Sequence, residues 1–257
     1  LKTKFLLLLL FLNVQIKAFK LNNNVNLAFK KESISVNLAQ GFCTNIGISD
    51  DEFLTIIEDA VSDYWNKVPT AKLKLTRGSK VSVSTNFQTG LICNSGTNCD
   101  PNPLLEVDND ILISCNNNLT NFPSSSILGV TVPNHSSGST LLGSLIIIND
   151  RADTQFDTKS RDEKVAIIAH EIGHALGLGH SPVRDSLMYY STIPTRRSLG
   201  RDDIDGITYL YPKQQPITCG TVITENSTPQ WPSFLLGFLF IYLVYLKLRP
   251  RLAHSRS

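Results

Sequence analysis

The chain is 257 residues long, with 42% hydrophobic and 18% charged residues, which suits one large domain or two small ones and excludes a disordered or collagen-like chain. Its formal charge of +2 hides a segregation. Lys2, Lys4, Lys17, Lys247, Arg249, Arg251 and Arg256 sit at ends free of acids, and residues 19–246 keep 17 basic against 22 acidic side chains. An acidic body withdraws the electrostatic support for nucleic-acid binding, and basic ends have the character of membrane-handling signals.

Lys2 and Lys4, the apolar run Phe5–Leu12 and the small residue Ala18 form a secretory signal peptide over 1–18. Alternation of apolar and polar residues predicts a strand at Ser33–Ala39. Asp50–Lys67 is a helix: Ser49 or Asp50 caps it, Phe53, Ile56, Ile57, Ala60, Tyr64 and Trp65 recur at helical spacing, and Pro69 ends it. Ala71–Leu75, Val81–Val83 and Ile111–Ser114 are predicted strands, with a long loop over 86–110. Two apolar β-rich runs follow, Leu128–Val132 and Leu141–Ile148, joined by a turn at Pro133–Ser139. Helices are predicted at Asp162–Leu178 and Arg201–Tyr211.

Residues 214–230 are a Pro-, Gln- and Thr-bearing linker. Trp231–Leu248 then offers 18 residues, about 27 Å of helix at ~1.5 Å per residue, just under a bilayer's hydrocarbon core. Residues 231–248 are accordingly expected to embed in a membrane, with 249–257 as a basic tail in the positive-inside sense. The chain is expected to be exported, extracellular or periplasmic, and anchored with its main domain, 19–213, outside.

Export favours disulfides. Cys93 and Cys99 could close a small loop, which would leave Cys43 and Cys115 as a second pair and Cys219 unpaired; spacing does not fix the connectivity.

Residues 170–180 read HEIGHALGLGH. His170 and His174 lie one turn apart on a helix face, a spacing at which two imidazoles can share one zinc. Glu171 projects beside them, able to contact a water on the metal without ligating it. Gly177 lets the backbone leave the helix so that His180 can supply a third nitrogen. Three neutral imidazoles leave a position open, as in catalytic rather than structural zinc sites.

This extended H-E-x-x-H-x-x-G-x-x-H pattern is similar to that of the metzincins, and Met188 in Ser186-Leu187-Met188-Tyr189 resembles their Met-turn. LGRDDIDGITYLY at 199–211 and the non-ligand positions of 170–181 resemble the matrixin branch (matrix metalloprotease-like, peptidase M10). The resemblance implies an α+β fold: a zincin-like mixed twisted sheet with two long helices and a small irregular C-terminal subdomain carrying His180 and Met188. It implies one catalytic Zn2+ held by His170, His174 and His180, and a zinc metalloendopeptidase that hydrolyses internal bonds of a polypeptide substrate with a zinc-activated water and Glu171 as general base. It also implies that Leu141–Ile148 forms the upper rim of the cleft and pairs with an extended substrate. The chain is expected to be a monomer that binds no nucleic acid.

Some matrixin features are missing from their places. About 15 residues separate Ala18 from the first strand, with no cysteine motif of the propeptide kind. Residues 128–153 correspond to the structural-zinc segment but have apolar residues in place of its histidines, so a second zinc is not expected and His135 is read as a solvated loop residue. Calcium would have only carbonyls and Asp150 or Asp153 to use, without a motif. Tyr190 and Thr192 stand where a Pro-x-Tyr is expected, so specificity does not carry over. Two alternatives from other classes are a cell-surface zinc-binding adhesion module, which has no need of Glu171, and a zinc amidase acting on a non-protein substrate.

Overall fold

The computed structural model describes residues 19–22, 26–94, 99–191 and 196–213. All belong to the first of two units, Leu1–Gln214; the second is Gln215–Ser257. The expected signal peptide (1–18), linker (214–230), membrane segment (231–248), basic tail (249–257), Cys219 and Thr192 lie outside the described residues. Among those described, no helix is long and apolar enough to cross a membrane.

The architecture is α+β. Six strands, β1 (Ala28–Phe29), β2 (Ser33–Ala39), β3 (Lys74–Val81), β4 (Asp110–Asn116), β5 (Gly129–Ser137) and β6 (Thr140–Asn149), form one mixed sheet. β2 pairs in parallel with both β3 and β4, β4 with β6, and β1 with the first residues of β6; β5 alone runs antiparallel, along β6. The helices are α1 (Asp50–Asp63), the short α2 (Asn86–Thr89), α3 (Arg161–Ala175) and α4 (Arg201–Leu210).

Local chemistry fixes the helix starts. Ser49 Oγ accepts the Glu52 N–H at 3.2 Å to begin α1, and Ser160 and Glu163 exchange hydrogen bonds to begin α3. Helix α1 stops at Asp63, and the expected residues up to Lys67 continue as a 3₁₀ turn. Trp65, fully buried in that turn, donates its indole N–H to Ala169 O at 2.9 Å and so fastens the turn to α3.

One apolar face of the sheet packs under α1 and α3: Ile34, Val36, Ile113, Ile146 and Ile148 meet Phe53, Ile57, Ile168 and Ile172. The other face is covered by Phe87, Leu105 and Phe122 from the connecting loops, against Leu112, Leu145 and Ile147. β6 is therefore buried on both faces, as its unbroken apolar run requires.

The structure revises three expectations. Ala71–Leu75 and Val81–Val83 are replaced by one strand, β3, whose Thr76–Lys80 segment is polar because it is an edge exposed to solvent. The expected turn at Pro133–Ser139 is strand as far as Ser137, with register shifts around His135 that accommodate the proline. The cleft rim is β5, not Leu141–Ile148. β6 is an interior strand with neighbours on both sides, whereas β5 pairs, among the described strands, with β6 alone and packs beside α3.

Candidate active site

Helix α3 carries His170, Glu171 and His174 at its C-terminal end. It closes in a Schellman arrangement: Leu178 N–H bonds Gly173 O at 3.0 Å and Gly177 N–H bonds His174 O at 3.0 Å. Gly177 takes φ +109°, and a Cβ there would stand 2.6 Å from Leu27 O, so glycine is required both for conformation and for space. The reversed chain brings His180 back beside the helix. An isolated antiparallel bridge between Leu21 and Leu178, with Asn22 N–H to Gly177 O at 2.9 Å and Gly179 N–H to Lys20 O at 2.8 Å, holds the ligand loop from its other side.

One ring nitrogen from each of His170, His174 and His180 lies within 4.8 Å of the others, and the Nε2 atoms of His170 and His174 are 3.1 Å apart. Their tautomers follow from their partners. His170 Nδ1 donates to Leu187 O and His174 Nδ1 donates to Leu178 O, each at 2.7 Å, which leaves Nε2 as the lone-pair atom facing inwards. Burial, and then the neighbouring His170, push the His174 pKa down to about 3, and burial also lowers that of His180. Convergent imidazole nitrogens are a donor set that suits zinc, and the three residues fit one ion.

Glu171 is buried, 7% exposed, directly beside this set. Burial raises its pKa; the charge of His170 and a hydrogen bond from Thr131 Oγ1 at 2.5 Å act in the opposite direction. A carboxyl raised above its ordinary range is suited to taking up a proton near neutrality. Gly129 on β5 also borders Glu171, where a Cβ would stand 3.0 Å from the carboxylate. Depressions lie on either side of the set. One includes Leu128, Ala166, Ile167, His170 and Tyr190, the other Asn22, Val130, His174 and His180, and Gly129 and Glu171 line both. An extended groove thus runs along the rim strand β5.

Met188 is buried, 2% exposed, against Gly173 of α3. A Cβ on Gly173 would overlap its Sδ, and would be 2.7 Å from the Trp65 ring. The turn around Met188 is tied to α4 through Asp203, which accepts Leu187 N–H at 2.6 Å, Met188 N–H at 3.0 Å, Gly200 N–H at 2.7 Å and the Ser186 hydroxyl.

The three imidazoles are thus brought together, Glu171 lines the same depressions, and Met188 packs against Gly173 of α3. Thr131, Gly129 and Asp203 were not foreseen. Asp203 had a visible signal, an acid three residues after Gly200 at a helix start, but an acid there is equally explained by the helix dipole. Thr131 had none, because its role depends on which strand is the rim.

The structure also places the other residues considered for metals. Asp150 accepts from Thr44 Oγ1 at 2.8 Å and Asn45 N–H at 2.7 Å, and Asp153 accepts from Arg151 Nε at 2.8 Å and Nη2 at 2.9 Å, so both carboxylates are engaged by protein donors. His135 is a half-buried strand residue rather than a solvated turn residue. Both disulfide pairs exist, Cys43–Cys115 and Cys93–Cys99.

A mostly parallel sheet is backed by two long helices, the second ending in two imidazoles before the chain turns to present a third, an arrangement that resembles that of the metzincins. Residues 106–212 are similar to the family model described as Matrixin. Metalloendoproteinase 2-MMP of Arabidopsis thaliana is 37% identical over 67 residues, 25% of this chain and 18% of that protein. Metalloendoproteinase 4-MMP of the same plant is 36% identical over 88 residues, 31% of this chain and 26% of that protein. Stromelysin-2 of Rattus norvegicus is 41% identical over 70 residues, 26% of this chain and 14% of that protein. The chain spans about a quarter or less of the length of these curated relatives.

Proposed function

We propose that the chain is an exported zinc-dependent endopeptidase. The observation that carries this reading is the placement of Glu171: a buried carboxylate held by Thr131 against three imidazoles whose free nitrogens converge. A metal held only for structure has no use for such a neighbour. His170, His174 and His180 would hold the ion. Bound there, zinc supplies Lewis acidity towards the scissile carbonyl and acidifies water. Glu171 takes the proton of the attacking water and returns it to the leaving amine. The free edge of β5 offers N–H and C=O groups along which an extended polypeptide can pair, which sets its scissile bond across the groove at Glu171.

Residues 19–213 would form the catalytic domain, exported by 1–18 and attached to a membrane through 231–248. N-terminal sequencing and membrane fractionation of the expressed chain test both ends. For the activity, peptide-library cleavage by mass spectrometry is paired with zinc analysis of the wild type and Glu171→Ala. Both should hold zinc, and the variant should lose internal-bond cleavage by about 100-fold or more. A variant that cleaves at near-normal rate, or a wild type that holds no zinc and cuts nothing, overturns the assignment.

A further inference from the structure

A second group of potential ligands lies where the turn before β4 meets the end of β5. A carboxylate oxygen from each of Glu106 and Asp108 and a ring nitrogen of His135 all lie within 4.8 Å of one another. The group is built rather than casual. β5 slips register on both sides of His135, between Val132 and His135 and again before Ser136, and such bulges re-aim a side chain. Here the imidazole lies over the 106–108 segment.

That segment is itself pinned. Asn134 donates to Leu105 O at 2.6 Å and accepts from Val107 N–H at 3.3 Å. Gly143 on β6 lets Val107 O approach to where any Cβ would collide with it. His135 Nδ1 faces two carbonyl oxygens, Val107 O at 3.2 Å and Asp108 O at 3.1 Å, which can only accept. Nδ1 therefore carries a proton, and Nε2 is the ring atom that faces Glu106 Oε1, 3.6 Å away.

Nε2 and the carboxylate oxygen face each other across a gap that a cation can bridge. The 3.6 Å separation is long for a hydrogen bond. It is close to the roughly 3.4 Å between two ligands bound at about 2.0–2.1 Å with tetrahedral angles. An imidazole whose other nitrogen is fixed by backbone carbonyls is also how proteins present a metal-ligating histidine.

We propose that Glu106, Asp108 and His135 form a second divalent-metal site of the zinc type, one nitrogen and two carboxylates, that clips the turn before β4 to the end of β5. Its mixed N/O donor set suits zinc better than calcium, which takes oxygen ligands alone. The site is open to solvent, with the His135 side chain 28% and that of Glu106 43% exposed, so an ion can enter without unfolding. The inference does not depend on the peptidase assignment.

The test is zinc titration of the chelator-stripped full chain, with bound metal counted after dialysis. Wild type should hold two ions. His135→Ala and, separately, Glu106→Gln should each remove one while leaving peptide cleavage unchanged. His174→Ala should keep the ion that His135→Ala removes, and the double variant should hold neither. If His174→Ala is poorly folded, Glu106→Gln in the wild-type background still decides, because its side chain is a surface group. An ion count unchanged by both His135→Ala and Glu106→Gln overturns the proposal and leaves the pair as a protonated histidine beside a carboxylate. A count that falls only with His135→Ala or Glu106→Gln, and is already zero at His170, His174 and His180, would instead sink the catalytic reading.

Discussion

Asp203 and Met188 are joined through the backbone: the buried carboxylate of Asp203 accepts the Met188 N–H at 3.0 Å, and the adjoining Leu187 N–H at 2.6 Å. Leu187 O in turn accepts from His170 Nδ1. A helix that never touches the metal set thus orients one of its imidazoles through two residues of turn. Asp203→Ala strands several buried donors and should cost about 3 kcal/mol of stability, with Asp203→Asn costing less because it retains an acceptor. Urea denaturation of both variants measures this, and equal stabilities for Ala and wild type would contradict the relationship.

Gly173 should tolerate no side chain. Its added methyl would press on Met188 and on the Trp65 ring, both of which are buried. Overpacking of this kind costs about 1–3 kcal/mol, more than the gain in helix propensity offsets. Gly173→Ala should melt lower than the wild type and lose zinc affinity as α3, which carries His170 and His174, is displaced. An alanine variant with unaltered melting temperature and zinc binding would show that the packing yields freely.

Acidification should destabilise the metal-free chain. His174 has a folded pKa of about 3 against 6.5 unfolded, so the unfolded state binds its proton first. Its contribution is complete above about pH 6.5 and is lost progressively as the pH falls towards about 3. Glu171, raised in the fold, acts with the opposite sign, losing stability as pH rises through its own range, so the measurement belongs in a Glu171→Gln background. Urea midpoints from pH 3 to 8 should then rise with pH, and the slope should shrink in His174→Asn; a slope that is the same in both would falsify the attribution.

The two disulfides should matter unequally. Cys43–Cys115 spans 72 residues and ties the loop after β2 to β4, whereas Cys93–Cys99 spans 6. Loop-closure entropy puts the first at about 4 kcal/mol and the second well below it. Thermal melts of Cys43→Ser/Cys115→Ser and Cys93→Ser/Cys99→Ser should show the larger drop in the first pair, and the reverse order would refute the loop-entropy reasoning.

The candidate site was readable in the sequence because its geometry is local. His170, Glu171 and His174 share a helix, and one glycine turn separates them from His180. The rim was not, because it depends on strand order. A continuous apolar run such as Leu141–Ile148 is the mark of an interior strand covered on both faces, while the half-exposed Gly129–Ser137 is the mark of an edge; the chain order of the two runs says nothing of which is which. Pro133 and Asn134 spelled a turn, and only the tertiary bulge keeps them in a strand. Asp203 stayed hidden for a related reason. Its four donors come from residues 15 or more positions upstream, apart from Gly200, and no periodicity brings those together.

The pairing of Lys20 and Asn22 with Gly179 and Gly177, and of Phe29 N–H with the Tyr211 hydroxyl, joins residues made early to residues made much later, 182 positions apart in the case of Phe29 and Tyr211. At ~5–20 residues per second, roughly 10–40 s of synthesis separate them. The loop bearing His180 cannot acquire its outer strand and its support from α4 at full strength until Tyr211 has emerged. Metal capture is therefore set by the clock of translation: a nascent chain stalled with Tyr211 still inside the ribosome should bind zinc weakly at this loop, and the released chain tightly.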